Sequence, residues 1–125
     1  MNLLDSSGWL EFFADGPVAG RFEPLLKEPA ELLVPTIVIY EVFKVIVRER
    51  GESEGLLAAA AMRQGVIVEI TEEVALLAAR TSLEHRLPMA DSIILTIARM
   101  HGATLWTMDE HFAELPQVRY FPPGL

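Results

Sequence analysis

Four acidic residues stand where short structural elements end or begin, and a carboxylate in such a place faces a crevice rather than a core. Asp5 closes the apolar run Met1 to Leu4, and Asp109 lies just past the compact apolar stretch Thr104 to Thr107. Asp91 falls in the first turn of a helical pattern that opens at Pro88. Glu41 interrupts the apolar surface of another helix. Carboxylates brought together repel one another and rise in pKa unless a cation compensates them. The chemistry that uses such a set is the binding of one or two hard divalent cations, Mg²⁺ or Mn²⁺, through oxygen. Two such ions can bridge a phosphate, activate a water and stabilise a leaving oxygen. Taken singly, each acid has a plainer explanation. Asp91 and Asp109 can cap or flank a helical turn, and Glu41 can pair with Lys44 three residues on. Spacing alone leaves both readings open.

The elements that would position these acids alternate along the chain. Met1 to Leu4 reads as a buried first strand. Ser6 or Ser7 can cap a following helix that carries Trp9, Leu10, Phe12 and Phe13 inward. Gly16-Pro17 breaks it, and Val18 to Lys27 is a weaker helical stretch ended by Pro29. Leu32 to Val34 is the next strand. Pro35 and Thr36 then serve as turn and cap for a helix to about Arg50, with apolar positions wide enough to predict that most of it is buried. Gly51 closes that helix, and Ser53 starts another that reaches Arg63. Val66 to Ile70 is the clearest strand by composition, and Thr71 caps a helix to about His85 with Glu72 and Glu73 in its first turn. Pro88 suits the first helical position, Gly102 stops that helix, and Val118 to Phe121 is a last edge strand. Strands alternating with helices predict a parallel sheet covered on both faces. The carboxyl ends of its strands then share one edge, where Asp5, Glu41, Asp91 and Asp109 can meet.

Bulk properties narrow the classes. At 125 residues, 51% hydrophobic and 22% charged, the chain predicts one well-packed domain rather than a disordered segment. With no cysteine it has neither disulfides nor thiolate-bound metal. The N-terminus lacks the basic start of a signal peptide, and runs such as LLVPTIVIY are too short to span a bilayer. These features predict a cytoplasmic protein without a membrane partner. The net charge of -8 argues against a broad basic face that coats nucleic acid, but acids gathered at a metal site would account for part of it.

The stretches LLDSSGWLEFF, VPTIVIYEVFKV and LPMADSIILTIARMHGATLWTMDEHF, together with the chain length, resemble those of PIN-domain nucleases, above all VapC-type toxins of toxin–antitoxin pairs. The resemblance spans essentially the whole chain, residues 1–125, as a single PIN domain. It implies a three-layer α/β/α sandwich around a mostly parallel sheet. It also implies RNA phosphodiester cleavage that depends on Mg²⁺ or Mn²⁺. Asp5, Glu41, Asp91 and Asp109 carry over as catalytic metal ligands, with Thr107 and Ser6 in supporting roles. The partners implied are an RNA substrate, a VapB-like protein antitoxin and a second copy of the chain in a homodimer. One departure stands out: the pattern TxDxDF ends here as TMDEHF, so His111 occupies the place of a fifth carboxylate.

Other residues carry less. His85, His101 and His111 show no ligand spacing and read as surface or helix-end residues. Trp9, Phe12 and Phe13 read as core. Lys44 and Arg48 follow Glu41 on one helix face and form either a solvated stripe or a short basic ridge for RNA phosphates. A PIN-like binding or scaffold domain is the alternative from another class, although crowded carboxylates serve no purpose in a scaffold. An aspartyl phosphatase would need a second Asp soon after Asp5, where the chain has Ser6 and Ser7.

Overall fold

The computed structural model describes residues 1–124. In chain order the elements are β1 (Asn2–Leu4), α1 (Ser6–Phe13), a 3-10 turn at Ala19–Arg21 and the short helix α2 (Glu23–Leu26). A 3-10 turn at Pro29–Glu31 leads into β2 (Leu32–Pro35), α3 (Thr36–Arg50), α4 (Glu52–Met62), β3 (Val66–Val68) and α5 (Glu72–His85). Then come α6 (Met89–Met100), β4 (Thr104–Thr107), a 3-10 turn at Glu110–Phe112 and β5 (Val118–Tyr120). The strands form one sheet in the order β3-β2-β1-β4-β5, and every adjacent pair is parallel. The predicted α/β class with a parallel central sheet is therefore observed. All four residues of β2 are buried although they alternate between the two faces, so helices cover the sheet on both sides.

Leu3, Leu4, Leu33, Val34 and Leu105 form the strand layer of the core. On α6 the run from Ser92 through Ala98 is buried without a break, which makes it the most enclosed helix and fixes its N-terminal turn rigidly in place. No helix among the described residues is long and apolar enough to cross a membrane.

Several local expectations change. The cap of α1 is neither Ser6 nor Ser7 but Asp5, whose side chain accepts the Gly8 amide. Ser53 does not start α4: Gly51, at φ 93°, ends α3 and begins α4 directly, a backbone angle open to glycine. Pro88 is the residue before α6 rather than its first, so Asp91 becomes its third residue, still in the first turn. The helix α3 is less buried than its composition predicts. Val38, Val42 and Ile46 are its buried stripe, and Tyr40 is 58% exposed. Those three recur every four residues on one side of the helix, and Tyr40, two residues from both Val38 and Val42, is turned about 200° away from them. On an adjoining flank α4 packs close: a Cβ on Gly55 would lie 2.5 Å from Val47 Cγ2 and 3.2 Å from Phe43 Cε1. Finally, β3 stops at Val68 rather than Ile70. It is an edge strand whose one neighbour, β2, ends at Pro35 opposite Val68, so residues beyond have nothing to pair with.

Candidate metal centre

The sheet winds outward in both directions from its middle, with β2 on one side of β1 and β4 on the other. Loops that leave β1 and β4 at their carboxyl ends diverge at this switch point and open a crevice. Asp5 follows β1 and Asp109 follows β4, so the order of strands alone brings these two acids together.

Asp5 is the most constrained of the four, with 3% of its surface exposed. Its backbone N–H continues the ladder to Trp106 O at 3.1 Å. Its Oδ1 accepts from Ser7 Oγ at 2.6 Å and from the Gly8 amide at 3.1 Å, and its Oδ2 accepts from Thr107 Oγ1 at 2.5 Å. Burial pushes its pKa up to about 6, against the pull of those three donors and with a further rise from the charge of Asp109. Thr107 accepts the Asp109 amide on the same Oγ1, at 2.8 Å, and Ser7 accepts the Met108 amide at 2.9 Å. Two hydroxyls thus bolt the end of β1 to the end of β4. Thr107 thereby touches both Asp5 and the backbone of Asp109. Ser7 does likewise for Asp5 and the backbone of Met108, and sequence reasoning had considered Ser7 only as a cap.

Asp109 caps the turn Glu110–Phe112 by accepting the His111 amide on Oδ1 at 2.9 Å. Capping and facing the crevice are therefore not alternatives for this residue. Asp91 is half-buried at the head of α6, a helix with no side-chain cap, so its carboxylate lies near the positive end of that helix. Its pKa is raised first by burial and next by Asp109, with Glu41 adding a smaller rise and His111 opposing. Glu41 makes no ion pair with Lys44. Its Oε1 instead accepts from Ser6 Oγ at 2.5 Å, which links α3 to α1, while Lys44 Nζ sits 5.6 Å from the Tyr40 ring.

The tightest group among the described residues is Asp91, Asp109 and His111, each with a donor atom within 4.8 Å of the others. His111 Nδ1 is 3.1 Å from Asp91 Oδ2 and 3.3 Å from Asp109 Oδ1. These acids raise the pKa of His111, first through the hydrogen bond to Asp91 and then through the charge of Asp109. Asp5 and Glu41 border this group electrostatically, Asp5 through Asp109 and Glu41 through Asp91. Their oxygens turn to neighbouring hydroxyls instead. The structure thus joins the four acids in one electrostatic unit and adds His111, a residue that sequence reasoning assigned to the surface. The signal was its position in TMDEHF, at the place of an expected carboxylate. Lys44 and Arg48 remain exposed on α3, and Arg48 pairs with Glu49 at 3.5 Å.

Asp5, held by two hydroxyls, and Asp91, hydrogen-bonded to His111, both have raised pKa values and neither pairs with Lys or Arg among the described residues, which suits a divalent cation. The donor set fits such an ion, with Asp91, Asp109 and His111 closest to it and Asp5 and Glu41 at its borders.

Comparison with known proteins follows the same lines. Residues 3–118 match the sequence profile of the PIN domain. The fold is similar to that of a toxin–antitoxin complex from Klebsiella pneumoniae, at a TM-score of 0.81 and 22% identity over 98% of this chain and 99% of that one. It is also similar to VapC20 of Mycobacterium tuberculosis, a sarcin-ricin loop cleaving toxin, with TM-score 0.75, 18% identity and coverage of 95% and 99%. A DNA-bound VapBC from Salmonella typhimurium gives 0.73 and 14%, over 98% of both chains. No curated protein matches the sequence.

Proposed function

The chain belongs to the PIN domain family, and from that premise we propose that residues 1–125 form a single PIN domain acting as a divalent-metal-dependent endoribonuclease, the toxin of a toxin–antitoxin pair. One observation carries the reading. Acids from four separate parts of the chain converge at the sheet's switch point with hydroxyl supports but no Lys or Arg partner among the described residues. A scaffold gains nothing from such an arrangement, which destabilises the protein that carries it.

In this reading Asp5, Glu41, Asp91 and Asp109 hold Mg²⁺ or Mn²⁺. A divalent ion bound there polarises the phosphoryl oxygen and activates a water. The chain's own contribution is position. Thr107 sets Asp5 and the backbone of Asp109 at once, and Ser6 turns Glu41 toward α1. A VapB-like antitoxin belongs to the same proposal, supported by the toxin–antitoxin assemblies among the structural relatives. A homodimer and a cytoplasmic location are proposed with it.

The direct test is incubation of total cellular RNA with the purified protein in Mn²⁺ or Mg²⁺, beside the same reaction in excess chelator. Cleavage is expected with metal and none with chelator. Cleavage that survives the chelator overturns the metal mechanism. Intact RNA with folded, metal-loaded protein favours a binding or scaffold role instead.

Lys44 and Arg48 enter the proposal as phosphate contacts on α3, the helix that carries Glu41. The double variant Lys44→Ala/Arg48→Ala is expected to raise KM severalfold with kcat nearly unchanged, because a contact made equally in ground and transition states is lost. Its RNA binding is also expected to depend less steeply on salt. Unchanged KM and salt slope would make these residues a solvated stripe.

A further inference from the structure

His111 is exposed yet held at the edge of the crevice. Its backbone is fixed by Asp109, and the next residue, Phe112, is fully buried and anchors the turn. Its side chain is 57% exposed, yet Nδ1 lies between two carboxylate oxygens, at 3.1 Å from Asp91 and 3.3 Å from Asp109. Those separations have a meaning in coordination chemistry. Two neighbouring ligands of an octahedral ion with bonds near 2.1 Å stand about 3 Å apart. An ion can therefore replace the proton shared by Nδ1 and the carboxylates with little movement of the three donors. Nε2, which makes no protein hydrogen bond among the described residues, can carry the proton in that tautomer.

We propose that His111 Nδ1 is a metal ligand beside Asp91 and Asp109, so that this centre favours a transition-series divalent ion, such as Mn²⁺, over Mg²⁺. The inference rests on the proposed metal site and adds the class of ion it takes. Mg²⁺ demands oxygen and gives up its water reluctantly, whereas imidazole binds Mn²⁺ and the later divalent ions with rising affinity. A centre of carboxylates alone would lack that discrimination. His111 at this position supplies it in a single residue.

The probe is Mn²⁺ alone, added to the intact protein, with pulsed electron paramagnetic resonance to detect nitrogen bound to the ion. The wild type is expected to show coupling to a directly bound ¹⁴N. His111→Asp is expected to lack it and to lower the ratio of Mn²⁺ to Mg²⁺ affinity, measured calorimetrically, about tenfold. The variant keeps the turn, because Asp109 caps it through the backbone of residue 111. Bound Mn²⁺ without nitrogen coupling, or an unchanged affinity ratio, overturns the proposal and leaves the nuclease reading intact. Tighter Mn²⁺ binding by His111→Ala also overturns it, since the imidazole would then compete with the ion. A wild type that binds no Mn²⁺ removes both readings. RNA cleavage in excess chelator, beside a positive nitrogen signal, removes only the metal-dependent nuclease.

Discussion

Replacing Asp91 with Asn is expected to slow RNA cleavage about a thousandfold while the fold survives. A bound ion that polarises a phosphoryl oxygen contributes several kcal/mol to the transition state, and each 1.36 kcal/mol is a factor of about ten in rate. Asn keeps the shape of the side chain in the first turn of α6 and loses only its charge. The helix does not depend on that charge, because its buried run begins one residue later, at Ser92, and continues through Ala98. The loss should appear in kcat even at saturating metal, since a neutral amide leaves the ion less well held and differently oriented. Circular dichroism and the melting midpoint of the same sample establish that it is folded. A folded Asp91→Asn protein that cleaves RNA at the wild-type rate ends the assignment of Asp91 to the centre.

The parts of this site that were legible in the sequence are those fixed by local chemistry. The acid after a short apolar run and the acid in the first turn behind Pro88 both land where their neighbours predict. What local chemistry does not decide is which of several competent residues takes a role. Asp5, Ser6 and Ser7 are all good helix caps, and the choice falls to Asp5 because β1 runs on to the Asp5 amide, which pairs with Trp106. That contact spans about a hundred residues and leaves no mark in the local pattern. The same holds for His111, whose partners are Asp109 beside it and Asp91 on another element. On α3 the apolar residues are numerous enough to predict burial of most of the helix. Which of them are covered is set by where the sheet and α4 lie, and only the stripe Val38, Val42 and Ile46 is fully enclosed. Alternation of strands and helices announces a parallel sheet, but the order β3-β2-β1-β4-β5, which creates the crevice, is a property of the whole chain.

The second large effect concerns stability without metal, where the centre is expected to work against the fold as pH rises. The Asp5 carboxyl titrates at an ordinary 3.8 when exposed and near about 6 in the fold. The folded state therefore binds its proton more tightly. Its contribution to stability is fully present below about pH 4 and is lost as pH rises through about 6, a difference of about 3 kcal/mol. Asp91 is shifted in the same direction, and so is His111, whose contribution is complete below 6.5 and fades as pH climbs through its raised value. The metal-free protein should then melt several degrees higher at pH 5 than at pH 8. A divalent ion reverses this, because it binds the ionised carboxylates; at a hundredfold excess over Kd it adds about 2.7 kcal/mol at pH 8 and less in acid. Asp5→Asn isolates the main contributor. Its Oδ1 can still accept from Ser7 and Gly8, and its amide can donate to Thr107 Oγ1, whose own hydrogen can turn to Ser7 Oγ 3.4 Å away. The variant should melt above the wild type at pH 8 without metal, match it near pH 4, and gain little from added Mn²⁺. If Asp5→Asn instead melts well below the wild type at pH 8, the carboxylate is needed first as the cap that joins β1 to α1, and the cost of its burial is smaller than its pKa implies.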